Sequence, residues 1–157
     1  MFDNIMPDEA YFTELKRISK NQIVWGGNYF GLRGGVIVWI KNGTLFGEGE
    51  VAICSTHKSV RLFEFTWNGM LQGDMKNKEG RIHPTQKPVQ LYKWLLKNYA
   101  KPGDKILDTH VGSASSLIAC HQCDFEYIGF EIDEDYYKAA TERLERVKAQ
   151  MTMFEDG

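Results

Sequence analysis

With 157 residues, 43% of them apolar and 13% aromatic, the chain can bury one core and is expected to form a single domain. A formal net charge of −2 says nothing by itself of nucleic acid, no apolar run approaches the roughly 20 residues of a membrane span, and Met1 to Pro7 lacks the basic and apolar regions of a secretion signal. The three cysteines, Cys54, Cys120 and Cys123, form no disulfide framework and fit a reducing compartment, so a soluble intracellular protein is expected.

Pro7, Asp8 and Glu9 open a helix through Ile18, with proline and acids where a first turn favours them and Tyr11, Leu15 and Ile18 on one face. Gln22 to Trp25 reads as a short buried strand ended by Gly26-Gly27, and Asn28-Tyr29-Phe30 as a loop. Gly34-Gly35 precede a second strand, Val36 to Ile40, whose unbroken apolar character marks a sheet covered on both faces. Lys41 to Gly49 is a glycine-rich excursion, and Glu50 to Cys54 re-enters the sheet. Phe63, Phe65 and Trp67 alternate with Glu64 and Thr66, which predicts a strand with one aromatic face.

Asn68 to Arg81 carries almost no period and reads as a long loop exposing Lys76, Lys78 and Arg81. His83-Pro-Thr-Gln-Lys-Pro88 then starts a helix through about Tyr99, with Leu91, Trp94, Leu95 and Tyr99 at helical spacing. Lys101 to Asp104 is a turn. The stretch from Lys105 to Asp133 reads as strand, glycine turn at Gly112, buried helix from Ser115 to Cys120, then a strand ending at Glu131. Asp133 caps a last helix that turns Tyr136, Tyr137, Ala140, Leu144 and Val147 to the core, and residues 150–157 are expected to fray.

Charge is unevenly spread. Residues 58–105 hold ten Lys/Arg against four Asp/Glu, and residues 106–157 hold four against eleven. A basic middle suggests a face for a polyanion, with a solvated basic face as the alternative. Cys120-His-Gln-Cys123 has metal-like spacing but no second pair, which favours packing over zinc, and no metal is expected. A glycine turn between strand and helix can bring backbone close to a nucleotide-like group. Glu131 stands 23 residues after Asp108, near the spacing at which an acid takes the ribose hydroxyls of a bound adenosine.

Two of these motifs and their order resemble the S-adenosylmethionine-dependent DNA amino methyltransferases, which methylate adenine N6 or cytosine N4. His83 to Pro88 followed by Leu91 is similar to the family's element for the methionine part of the cofactor, and Asp108 through Gly112-Ser113 to its glycine turn. The first lying upstream of the second matches the permuted beta-type members. The resemblance spans essentially the whole chain, since Pro7 to Phe30 is also similar to the segment that follows the family's catalytic motif.

It implies a Rossmann-like α/β fold in three layers, α/β/α, with residues 41–81 facing DNA and residues 82–149 binding the cofactor. It also implies a cofactor set of His83, Thr85, Gln86, Lys87, Asp108, His110, Gly112, Ser113 and Glu131, and a bacterial or phage-like cytoplasmic setting. Glu131 would accept both ribose hydroxyls, Asp108 would face the cationic end of the cofactor, and Thr85, Gln86 and Lys87 would donate to its carboxylate. Lys76, Lys78 and Arg81 would contact the phosphates of double-stranded DNA. Ala114 stands where a second glycine is common and narrows the pocket slightly; His110 stands where an aromatic residue is, and either lines the cofactor or packs.

One part of the family pattern is missing. Methylating an exocyclic amine needs an acceptor for its N–H hydrogens, supplied in the family by an Asp-Pro-Pro-Tyr type tetrapeptide whose ring stacks on the flipped base. None of the four prolines adjoins another. The chain is therefore expected to begin just after that tetrapeptide, with Asn28-Tyr29-Phe30 as the nearest internal substitute. In the resembled topology the strand bearing it lies between those ending at Asp108 and Trp25. Either these two strands close directly, or another polypeptide or a second copy supplies the missing strand; the other expected forms are a non-catalytic remnant and one half of a split enzyme.

Overall fold

The computed structural model describes residues 6–43 and 47–155, which fall into two compact units, residues 1–71 and 72–157. In the first, helix α1 (Glu9–Ile18) is capped by Asp8, whose carboxylate accepts from the Tyr11 N–H at 2.9 Å, a cap contributing about 1 kcal/mol. Its buried residue is Phe12, which packs on Phe30 with ring centroids 5.1 Å apart. The expected face is corrected here: Tyr11 and Leu15 are half-buried and Ile18 is 48% exposed.

Strands β1 (Ile23–Trp25), β2 (Gly35–Ile40), β3 (Gly49–Cys54) and β4 (Val60–Glu64) form one sheet in the order β1-β3-β2-β4. β3 runs antiparallel to β1 and β2, and β4 runs parallel to β2. Ile37 pairs with Ala52 and Gly35 with Cys54, so the alternation of β-strand side chains turns Ile37, Trp39, Ala52 and Cys54 into the unit's core. Gly35 is required there, because a Cβ would stand 2.1 Å from the His57 ring. β2 was expected to be buried on both faces, yet Val36, Val38 and Ile40 are only half-buried, and so is all of β1.

The aromatic alternation also resolves differently. Phe63 closes on Phe65 with rings stacked at 6.1 Å, but β4 ends at Glu64 and Trp67 belongs to a short hairpin of β5 (Trp67–Asn68) and β6 (Leu71–Gln72). The expected aperiodic loop thus begins with a hairpin. Three residues of the glycine-rich excursion, 44–46, lie outside the described residues.

In the second unit, residues 83–88 precede helix α2 (Val89–Tyr99) instead of starting it. Pro84 and Pro88 bias the residues before them to extended backbone, and Pro88 serves as the N-cap at φ −69°. Strand β7 (Lys105–Asp108), helix α3 (Ser115–Gln122) and strand β8 (Glu126–Gly129) follow, with β7 parallel to β8 and Asp108 opposite Gly129. Glu131 therefore stands two residues beyond the strand it was expected to end. α3 is buried along Ser115–Cys120, where Ala114, Leu117 and Ile118 pack on Ala140 and Leu144 of helix α4 (Glu134–Glu155). Asp133 accepts from the Tyr136 N–H at 3.0 Å, as its capping role predicts. The expected fraying is corrected: residues 150–155 continue α4, and 156–157 lie outside the described residues.

Burial pushes the Cys120 thiol up to about 12, with Asp108 adding to the shift, so a metal-binding thiolate is disfavoured there. Among the described residues, β1 and β7 are assigned to separate sheets. β1 pairs with β3, and β7 with β8.

Candidate functional site

The chemistry-bearing residues of the second unit gather around the turn between β7 and α3. Asp108 ends β7, and its two carboxylate oxygens take the His110 N–H at 2.9 Å and the Ser116 hydroxyl. The strand end and the first turn of α3 are thereby fixed together. Gly112 (φ +57°) and Ala114 (φ +68°) both adopt the left-handed conformation. Glycine reaches it freely, whereas an alanine there costs about 1–2 kcal/mol. The expectation that Ala114 narrows a pocket is corrected: its methyl lies in the core with Leu117, Ile118, Ala140 and Leu144.

Glu131 reaches this turn from beyond β8. One carboxylate oxygen accepts the Gly112 N–H at 2.8 Å, and the other accepts the Asp133 N–H at 3.0 Å. Each oxygen keeps a further lone pair for a hydroxyl donor. His83 covers the same turn, with ring atoms 3.5 Å from where a Gly112 Cβ would stand and its centroid 4.2 Å from that of Tyr136. The two stretches singled out in the sequence thus meet, through His83, Gly112 and Glu131.

His83 Nδ1 accepts the Thr85 N–H at 3.2 Å, and the exposed Thr85 hydroxyl lies 3.1 Å away. That acceptor role requires an unprotonated Nδ1. Burial first of all lowers the His83 pKa, against the opposing pull of Glu131 and Asp133, and Lys87 lowers it further. Lys87 is half-buried and His110 is exposed, with its Nδ1 2.9 Å from the Thr109 hydroxyl.

Two of the expected cofactor residues are buried. Gln86 is buried and its amide is used internally, accepting from Ile82 N–H at 2.9 Å and donating to the Gly80 carbonyl at 3.0 Å. Ser113 is also buried, with its hydroxyl 3.0 Å from that of Ser115.

An ion pair that sequence reasoning missed supports them. Arg143 of α4 donates to the Ser113 carbonyl at 2.9 Å, the Ser115 hydroxyl at 2.8 Å and Glu79 Oε1 at 2.7 Å. Glu79 in turn accepts the Val89 N–H at the start of α2, at 3.1 Å to Oε2. The two side chains are 13% and 15% exposed. Burial raises the Glu79 pKa against the charge of Arg143 and lowers that of Arg143 against the charge of Glu79. Its signal in the sequence was an arginine at position 143 on the face shared by Ala140, Leu144 and Val147.

Lys76, Lys78 and Arg81 are exposed on the segment before His83, where Asp74 accepts the Lys76 and Asn77 N–H groups at 3.1 and 3.2 Å. In the first unit, Asn28, Tyr29 and Phe30 form a one-turn 3-10 helix, Gly27–Phe30. Asn28 is exposed and Tyr29 is 81% exposed, but Phe30 is engaged with Phe12. Among the described residues no helix is long and apolar enough to cross a membrane, and no group of three His, Cys, Asp or Glu could hold a metal ion.

The profile of a family described as DNA methylase, acting at N6 or N4, matches residues 11–142. Type II methyltransferase M.HpaI of Haemophilus parainfluenzae is 38% identical over 69 residues, 44% of this chain and 22% of that protein. Type II methyltransferase M2.DpnII of Streptococcus pneumoniae is 35% identical over 79 residues, 50% of this chain and 29% of that protein. The matched part is thus under a third of either relative. A crystal structure of an M1.HpyAVI–SAM complex superposes with a TM-score of 0.66 at 17% identity, covering 91% of this chain and 84% of that one. A second structure of M1.HpyAVI gives 0.54 at 20% identity, covering 79% and 74%. These likenesses show a Rossmann-like methyltransferase fold.

Proposed function

The chain belongs to the N6/N4 DNA methylase family, and from that premise we propose that its second unit holds S-adenosylmethionine as the cofactor-binding part of a DNA amino-methyltransferase. The observation that carries this reading is the meeting of His83 and Glu131 on the Gly112 turn. The donor set fits the cofactor. Glu131 keeps a lone pair on each oxygen for the two ribose hydroxyls, and Asp108 offers negative charge to a cationic group. When bound, the cofactor supplies an electrophilic methyl group.

The residues of this chain orient that donor; they do not include the tetrapeptide that accepts the amine's protons. Methyl transfer would need a base-accepting element of that kind, and a strand carrying it would add to the pairing of β7. DNA is approached by Lys76, Lys78 and Arg81, whose exposed charges suit phosphate contacts. A role on DNA implies an intracellular setting. Radiolabelled methyl transfer to mixed-sequence double-stranded DNA, with and without flanking coding sequence that carries an Asp-Pro-Pro-Tyr element, tests the reading. Transfer is expected only with that element, and transfer by residues 1–157 alone would overturn the division of roles.

A further inference from the structure

We propose that Arg143, clamped by Glu79, is a positioning residue for the cofactor site: its guanidinium holds both sides of the left-handed Ala114 and so maintains the Gly112 turn that Glu131 and His83 address. The proposal rests on the reading of residues 83–131 as a cofactor site. Its evidence is the hydrogen-bond geometry. Arg143 Nη1 donates to the Ser113 carbonyl and the Ser115 hydroxyl, the two residues bracketing Ala114, while Nη2 is held by Glu79. An alanine at φ +68° has no conformational preference for this state, so something else must hold it. The rigid fork of arginine meets that need, because its two Nη atoms reach three acceptors at once; a lysine ammonium is a point charge without that geometry.

Glu79 gives the clamp its second function. Its carboxylate accepts the Val89 N–H directly after Pro88, at 3.1 Å to Oε2, and its backbone is held by the Gln72 side chain at 2.8 and 2.9 Å. The segment that delivers His83 and Thr85 is thereby tied to the same guanidinium that shapes the glycine turn. Residues of α4, of the 79–89 stretch and of the 112–115 turn, partners as much as 64 positions apart, share one fixing point. Neither Arg143 nor Glu79 is proposed to touch the cofactor.

The test separates this positioning role from general stability. Arg143→Lys keeps a cation against Glu79 and so avoids leaving a lone buried charge; Ala114→Gly supplies a residue that adopts the left-handed state unaided. S-adenosylhomocysteine affinity is measured by calorimetry for wild type, Arg143→Lys, Glu79→Gln, Ala114→Gly and the Arg143→Lys/Ala114→Gly double variant. Hydrogen exchange of the 112–115 amides is followed in the same proteins. Arg143→Lys is expected to weaken binding by about tenfold or more, a coupling of the usual size between linked sites, and to accelerate exchange at the turn. Adding Ala114→Gly is expected to restore most of both.

Equal affinity and exchange in wild type and Arg143→Lys would overturn the proposal, as would a loss that Ala114→Gly leaves untouched. Should wild type fail to bind S-adenosylhomocysteine, the cofactor reading falls, and the exchange pattern with its rescue decides by itself whether Arg143 holds the turn.

Discussion

Replacing Glu131 by Gln isolates the carboxylate without changing its size. In the wild type each oxygen accepts one backbone N–H, from Gly112 at 2.8 Å and from Asp133 at 3.0 Å. The substitution leaves one oxygen and puts an NH2 group where the other acceptor stood, so one of the two N–H donors faces a donor. A hydrogen bond to a charged group contributes about 1.5–3 kcal/mol. Glu131 is half-buried, and water can recover part of that loss, leaving a stability loss of about 1–2 kcal/mol. Binding loses more, because the ribose hydroxyls forfeit an ionised acceptor as well as a well-placed turn. Two weakened contacts of about 1 kcal/mol each amount to roughly a thirtyfold rise in Kd. Calorimetric titration with S-adenosylhomocysteine, on a variant whose thermal unfolding has been recorded, measures both effects. A lowered Tm with affinity within about twofold of wild type would make Glu131 a brace for the turn and remove it from the ligand site.

Further outcomes follow from the same geometry. The His83 pKa is lowered in the folded protein, so the native state binds fewer protons than the unfolded one below about pH 6.5; stability from this group is full above that pH and is lost as pH falls through it toward the folded pKa. His83→Phe keeps a ring over Gly112 and Tyr136 without titrating, and its Tm profile from pH 8 to 5.5 should be flatter than that of wild type; parallel profiles would contradict the assignment. Arg143→Ala leaves Glu79 buried without its cation, for an expected cost of about 3–5 kcal/mol, read as a shift of the urea midpoint, and a shift of under 1 kcal/mol would show the pair to be solvated. Replacing Lys76, Lys78 and Arg81 together by Ala should weaken DNA binding and lower the slope of log K against log salt by up to about 3; an unchanged slope would take these residues off the phosphate backbone.

What the sequence made legible was local. The order β7, turn, α3, β8 could be read because short apolar runs flank a glycine turn within 25 residues, and the cap at Asp133 because its N–H partner is three positions away. The spacing from Asp108 to Glu131 was sufficient to bring that acid to Gly112, although β8 stops at Gly129. The start of α2 was misplaced because residues 83–86 do form a turn, closed by the Gln86 N–H on the His83 carbonyl at 3.2 Å, but the helix begins only after Pro88, which caps it with extended backbone. The burial of Gln86 and Ser113 could not be read from the sequence, because nothing local reveals their bonds to Gly80, Ile82, Ser115 and Arg143. The Arg143–Glu79 pair was illegible for the same reason: its partners are 64 positions apart, and only the fold brings them together.

Equilibrium dialysis of residues 1–157 against radiolabelled S-adenosylmethionine, with S-adenosylhomocysteine, ATP and NAD as competitors, addresses the cofactor claim most directly. One saturable site is predicted, displaced by S-adenosylhomocysteine and not by ATP or NAD, and abolished or greatly weakened by Glu131→Ala. No saturable binding by the folded chain, or equal displacement by ATP, would contradict the account.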